Sequence, residues 1–162
     1  MIFYIFADGS CYNEPGHNTA GYAACLAKIP NPKTEEEIYH ISKGWFPNGT
    51  NNQAEWAGFN AALRIVEEWQ EKYPTAEFIV YSDSQLIISQ ALGIYDVRNK
   101  GLLPYYYEFK IIAKALDMNR VGFKWIPRTR NTVADKISKD VNPYFIKKRL
   151  NEFAKRRSAE GI

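Results

Sequence analysis

Four short acidic motifs stand far apart in this chain: Phe6-Ala7-Asp8-Gly9-Ser10, Thr50-Asn51-Asn52-Gln53-Ala54-Glu55-Trp56, Tyr81-Ser82-Asp83-Ser84-Gln85 and Arg130-Asn131-Thr132-Val133-Ala134-Asp135. Asp8, Glu55, Asp83 and Asp135 offer hard oxygen donors. Such donors suit Mg²⁺, which binds a few carboxylates, keeps several waters and requires no cysteine or histidine cage. Each acid also has an ordinary structural reading, because three of the four fall near helix starts, where negative charge is stabilised. Asn52 and Glu55 have the spacing of a variant capping box, Asp83 or Ser84 can cap a short helix, and Asp135 follows a candidate Asn131 cap. Capping does not require distant acids to converge. Converging carboxylates raise one another's pKa and require a cation or a bound proton.

The elements between the motifs decide whether they meet. Ile2 to Ala7 is a near-continuous apolar run, the pattern of a strand buried on both faces and therefore central. Gly9 to Gly16 reads as turn material, Gly21 to Ala27 as a second strand closed by Pro30-Asn31-Pro32, and Ile38 to Trp45 as a third. Three strands joined in succession form an antiparallel meander. The period then changes: Ala54, Ala57, Ala61, Ile65 and Trp69 recur at three- and four-residue steps, predicting a helix from about Asn52 to Lys72 that Pro74 ends. Glu77 to Ser82 is a further buried strand, Ser84 to Leu92 a short helix with Gly93 as its C′ residue, and Leu103 to Asp117 a helix with Pro104 in its first turn. Val121 to Trp125 alternates as a fifth strand, and Asn131–Val141 and Pro143–Ala159 read as helices. The order predicts an α/β domain with a mixed five-stranded sheet. A right-handed crossover would place the Phe78 strand parallel to the first, with Asp8 and Asp83 both at carboxyl ends of adjacent strands, where open α/β sheets bind ligands.

Composition sets the bounds. At 162 residues and 46% hydrophobic, the chain is the size of one domain. Two cysteines, Cys11 and Cys25, are too few for a disulfide framework and indicate a reducing, cytoplasmic setting. The apolar start lacks a charged leader region and is cut short by Asp8, which excludes a signal peptide or a membrane span there. The net charge is +3, and it is concentrated at the end of the chain. From Pro143 to Ile162, Lys147, Lys148, Arg149, Lys155, Arg156 and Arg157 face only Glu152 and Glu160, which leaves the remainder slightly acidic. Such a tail can attract a polyanion or be a solvated helix face.

The four motifs, in this order and with these elements between them, resemble type 1 ribonuclease H, and the resemblance extends from Met1 to about Ser138. It implies a ribonuclease H-like fold over residues 1–142, with 143–162 as a basic helical extension. It further implies a two-metal endonuclease that cuts the RNA strand of RNA–DNA hybrids and leaves 5′-phosphate and 3′-hydroxyl ends. By that resemblance Asp8, Glu55, Asp83 and Asp135 hold two Mg²⁺ ions, with Mn²⁺ as a substitute. Asn51, Asn52 and Gln85 match residues that touch the hybrid from its minor groove, where short amides suit a 2′-hydroxyl that both donates and accepts. Thr50 matches a contact to a DNA-strand phosphate, while Gly9, Ser10 and Asn131 fall inside the motifs and join the substrate side. A monomer without membrane attachment is expected, and protein partners are not indicated.

Three departures from the family pattern stand out. The loop before Asp135 reads Pro127-Arg128-Thr129-Arg130-Asn131, without the histidine of many bacterial relatives. Arg128 or Arg130 could meet the scissile phosphate as a fixed cation but not as a titrating base. Asn13-Glu14-Pro15-Gly16 replaces the usual Asn-Pro-Gly, and Tyr95 to Tyr107 holds only Arg98 and Lys100 where some relatives carry a basic protrusion. Tyr105, Tyr106 and Tyr107 read as a core-facing aromatic patch, and His17 and His40 as surface or packing residues. The alternatives are a structure-specific nuclease, resolvase or transposase of the same fold, and a catalytically silent nucleic-acid-binding module.

Overall fold

The apolar opening run becomes the middle of a sheet, as its two-sided hydrophobicity requires. A computed structural model describes residues 1–14, 17–28 and 37–159. Its elements are β1 (Ile2–Glu14), β2 (His17–Ala27), β3 (Ile38–Pro47), α1 (Asn51–Lys72), β4 (Glu77–Ser82), α2 (Gln85–Ala91), α3 (Leu103–Ala115), β5 (Val121–Trp125), α4 (Thr132–Asp140) and α5 (Pro143–Ala159). The strands form one five-stranded sheet in the order β3-β2-β1-β4-β5. β1 is antiparallel to β2 and parallel to β4, and β4 is parallel to β5. The proline turn expected after β2 and the Pro15-Gly16 turn lie outside the described residues.

One boundary differs in a way that matters. Gly9 to Glu14 does not turn but continues β1, pairing with β2 from Asp8↔Ala23 to Glu14↔His17. The parallel ladder with β4 ends earlier, at Ala7↔Ser82. Asp8 therefore stands in mid-strand, at the point where β1 leaves β4 and runs on as a two-stranded ribbon. Composition misled because glycine and asparagine mark turns in general, whereas here the partner strand supplies the pairing.

The two faces of the sheet carry separate cores. Phe3, Ile5 and Ala7 face α1 with Phe78 and Val80, and Phe6 and Cys25 face α4 with Ile126 and Ala134. α1 is buried on more than the expected stripe, since Trp56, Phe59, Leu63 and Val66 join Ala54, Ala61 and Ile65. The extra stripe is there because α3 packs over α1: the Phe109 ring lies 5.4 Å from Trp56 and 6.1 Å from Phe59. Trp56 also donates its indole N–H to Gln90 at 2.9 Å, satisfying a polar atom in the core. Tyr105 and Tyr106 pack against this core as expected, but Tyr107 is exposed. Gly93 occupies the left-handed region at φ 76° just past α2, as its C′ placement predicts.

Candidate metal centre

The capping question is answered residue by residue. α1 is capped by Thr50, whose hydroxyl accepts from the Gln53 N–H while the Gln53 side chain accepts from the Thr50 N–H. The Asn52–Glu55 box expected from spacing is thus displaced by one that starts two residues earlier, and Glu55 has no capping duty. Ser84, not Asp83, caps α2 through the Ile87 N–H. Asn131 occupies the N-cap position of α4 without a side-chain cap bond. None of the three acids assigned a helix-start role is needed for it.

Two of them, Glu55 and Asp83, are instead brought together with Asp8. One carboxylate oxygen each from Asp8, Glu55 and Asp83 lies within 4.8 Å of the others, in a group made only of oxygen donors. The position of Glu55 depends on Gly9: a Cβ there would lie 2.1 Å from the Ala54 carbonyl carbon and 2.3 Å from the Glu55 nitrogen. Only a residue without a side chain lets the first turn of α1 pass this close to β1. Asp83 follows the last residue of β4, its carbonyl held at 3.0 Å by the Trp125 indole N–H.

Asp135 stands beside the trio, close enough for its charge to raise the pKa of both Asp8 and Asp83. Its carboxylate lies 3.2 Å from Lys139 and 3.6 Å from Arg128. Two buried amides fix α4 at either end. Asn131 donates to the Ala7 carbonyl at 2.8 Å and to Asp83 at 3.3 Å, and Asn142 donates to the Thr19 carbonyl at 2.9 Å. Ser138 donates to the Asp135 carbonyl at 2.8 Å and lies 3.5 Å from Asp8.

This packing is electrostatically costly without a counter-charge. Burial first, then the charges of Glu55 and Asp83, pushes the Asp8 carboxyl up to about 10. Burial and the Asp83 charge push Glu55 up to about 8, against the opposing Gly9 backbone hydrogen bond. Burial also raises Asp83, while Asn131 and Arg128 work in the other direction. Among the described residues no lysine or arginine forms an ion pair with Asp8, Glu55 or Asp83. Glu55 Oε2 and Asp135 Oδ1 are buried without a hydrogen-bond partner. All-oxygen donors, mutual repulsion and orphaned carboxylate oxygens fit a hard divalent cation.

The residues expected on the substrate side separate into two sets. Thr50, Asn51, Asn52, Gln85, Arg128 and Arg130 are exposed. Ser10 and Asn131 are buried, Asn131 completely. Asn131 supports the acids through its bonds to the Ala7 carbonyl and Asp83, and Gly9 lies under the first turn of α1. Ser138 and Lys139 were absent from the sequence reading, although their positions three and four residues after Asp135 place them on its helix face. Trp125 had no local signal, because its contact with Asp83 depends on the pairing of β5 with β4.

Residues 7–141 match the family described as reverse transcriptase-like. The chain belongs to that family. It is 32% identical over 140 residues to the bifunctional protein Rv2228c of Mycobacterium tuberculosis, an alignment covering 86% of this chain and 35% of that protein. The chain thus spans about a third of the length of the curated relatives it matches. Among solved structures, the N-terminal RNase H domain of Rv2228c superposes with a TM-score of 0.70 at 29% identity, covering 91% of this chain and 98% of that one. LC11-RNase H1, isolated from compost, gives 0.69 at 26% identity, covering 91% and 97%. The same protein, solved in complex with an RNA/DNA hybrid, gives 0.69 at 25% identity, covering 85% and 94%. RNase H1 of Halobacterium salinarum shares the fold, with a TM-score of 0.67 at 20% identity over 87% of this chain and 97% of that one. The mixed sheet with its antiparallel first three strands is the fold of type 1 ribonuclease H domains, as the four motifs implied.

Proposed function

We propose that the chain is a divalent-metal-dependent endonuclease that hydrolyses the RNA strand of RNA–DNA hybrids and leaves 5′-phosphate and 3′-hydroxyl ends. The observation that carries this reading is the meeting of Asp8, Glu55 and Asp83 within 4.8 Å, with Glu55 Oε2 buried and without a hydrogen-bond partner. Family membership and the hybrid bound by LC11-RNase H1 support it. Asp8, Glu55, Asp83 and Asp135 would hold the metal. Two Mg²⁺ ions, or Mn²⁺ in their place, supply an activated water and charge stabilisation of the leaving oxygen when bound.

The chain's own residues do the rest. Asn51, Asn52 and Gln85 expose short amides at helix starts flanking the acids, placed to read the 2′-hydroxyl that distinguishes RNA from DNA. Thr50 begins the same turn and serves a DNA-strand phosphate. Arg128, with its guanidinium 3.6 Å from Asp135, brings a permanent positive charge to the rim, a task an arginine performs without titrating. Arg130 lies two residues further along the same turn. Ser10 lines the buried side of β1. Residues 1–142 form the catalytic unit, and 143–162 add a basic extension whose Lys155, Arg156 and Arg157 are exposed.

The test is strand-specific cleavage of matched RNA–DNA, RNA–RNA and DNA–DNA duplexes with and without Mg²⁺. Cleavage of the RNA strand of the hybrid alone, only with metal, is the expected result. Folded, metal-replete protein that spares hybrids but cuts DNA duplexes or junctions would show a structure-specific nuclease. Hybrid binding without cleavage would show a silent binding module.

A further inference from the structure

The four acids are not equally served by the rest of the chain. Asp8, Glu55 and Asp83 bring carboxylate oxygens within 4.8 Å of one another and form no ion pair among the described residues, whereas Asp135 forms two. Lys139 Nζ donates to Asp135 Oδ2 at 3.2 Å, and the Arg128 guanidinium stands 3.6 Å from Oδ1. The fold gives one acid a counter-charge and withholds it from three.

The two cations do not hold Asp135 alike. Arg128 lies on the turn before α4, its side chain is 73% exposed, and 3.6 Å is beyond hydrogen-bond length, which leaves Oδ1 without a hydrogen-bond partner. Lys139 stands one helical turn after Asp135 on α4, an i, i+4 pair whose spacing the helix itself sets. Ser138, on the same turn, donates to the Asp135 carbonyl at 2.8 Å and so ties this stretch of helix further. Lys139 is the partner built into the fold.

A divalent ion arriving among Asp8, Glu55 and Asp83 therefore meets no protein cation, while one that also engages Asp135 must take an oxygen from an ammonium group. We propose that Lys139 is a positioning residue that keeps Asp135 aimed but contested, so that cations fill the centre in order, the Asp8, Glu55 and Asp83 side first and the Asp135 side second. This rests on the reading of the four acids as a metal centre. A partly exposed lysine pair is weak, because water screens it and its flexible stem can swing away, so Lys139 sets the order without closing the site.

The experiment is an NMR titration of the full chain with MgCl₂ at constant ionic strength. In the natural protein the backbone amides of Gly9 and Glu55 should reach half of their shift at a lower Mg²⁺ concentration than those of Asp135 and Ser138. Lys139→Met keeps the stem and removes the charge. It should lower the midpoint at Asp135 and Ser138 roughly two- to fivefold, the worth of a partly exposed ion pair, and move Gly9 and Glu55 by a smaller factor. Lys136→Met makes the same charge change at an exposed lysine of α4 and should move neither midpoint. Coincident midpoints in the natural protein would overturn the proposal, as would a midpoint at Asp135 that Lys139→Met leaves unchanged or raises, or an equal gain from Lys136→Met. In each of these cases the acids still bind Mg²⁺, and only the role of Lys139 falls. Absence of any Mg²⁺-dependent shift around the four acids would overturn the metal centre as well.

Discussion

Asp8, Glu55 and Asp83 hold one another in an unfavourable state, and that has a measurable consequence in the metal-free protein. A carboxyl whose pKa is raised by folding binds its proton more tightly in the native than in the unfolded chain. Its stabilising contribution is fully present below the unfolded value and is lost as pH rises through the folded one. With Asp8 raised from 3.8 to about 10 and Glu55 from 4.5 to about 8, the window runs from about pH 4 upward through neutrality. Asp8→Asn should therefore raise the melting temperature of metal-free protein at pH 7 relative to wild type. The gap should widen between pH 5 and 8 in calorimetry and close when Mg²⁺ is added to the wild type. The same variant should lose at least about 100-fold in cleavage, since even groups that only orient metal ligands cost roughly 10–100-fold when removed. Asn131 is such a group: Asn131→Leu should lower activity roughly 10–100-fold and raise the Mg²⁺ concentration needed for half-maximal rate. It should also cost about 1–3 kcal/mol of stability, because the Ala7 carbonyl it serves is left unpaired in the core. Retained Mg²⁺ dependence with an unchanged rate would remove Asn131 from the support of Asp83.

At the scale of elements, the acids meet because one helix lies almost on a strand. α1 crosses β1 where Gly9 offers no side chain, and this near-contact sets the distance from Glu55 to Asp8. Gly9→Ala should cost about 1–3 kcal/mol or more, the range for overpacking against structure that cannot give way, since the obstacle is backbone of Ala54 and Glu55. Activity of whatever fraction remains folded should fall as well, because the helix can only move by carrying Glu55 away from Asp8. A variant with wild-type melting temperature and turnover would refute this. The elements themselves were largely readable from the sequence, through the two-sided apolar run of β1, the change of period at α1 and the capping residue before α2. The path of Gly9 to Glu14 was not readable, because glycine and asparagine in a ribbon look like glycine and asparagine in a turn until the partner strand is known. The same limit explains the supports of the site. That Asp8, Glu55, Asp83 and Asp135 belong together was legible from their order, whereas the bonds of Trp125 to Asp83 and of Asn131 to Ala7 join segments tens of residues apart and leave no local pattern.

For the molecule as a whole, charge is divided between an acidic centre and a basic end, and the two have opposite effects on a polyanion. Until cations neutralise them, the clustered carboxylates repel the phosphates they are proposed to process. The remainder of the chain is slightly acidic in sum, so long-range attraction has to come from particular surfaces. α5 is the strongest of these: six of its residues are basic, and Lys155, Arg156 and Arg157 stand exposed, with the Arg157 guanidinium 5.7 Å from the Phe153 ring centroid. The family match ends at residue 141, just before this helix. Each phosphate neutralised by a protein cation contributes about −0.9 to the slope of log affinity against log salt on a duplex. Removing residues 143–162 should therefore weaken hybrid binding at low salt and make that slope shallower by roughly two or more, as two or more phosphate contacts are lost. Turnover at saturating hybrid should change little, because none of the four acids lies on α5. An unchanged salt slope after truncation would show that α5 serves packing or self-association instead. A fall in turnover at saturation, with the slope intact, would mean that α5 steadies α4 and with it Asp135.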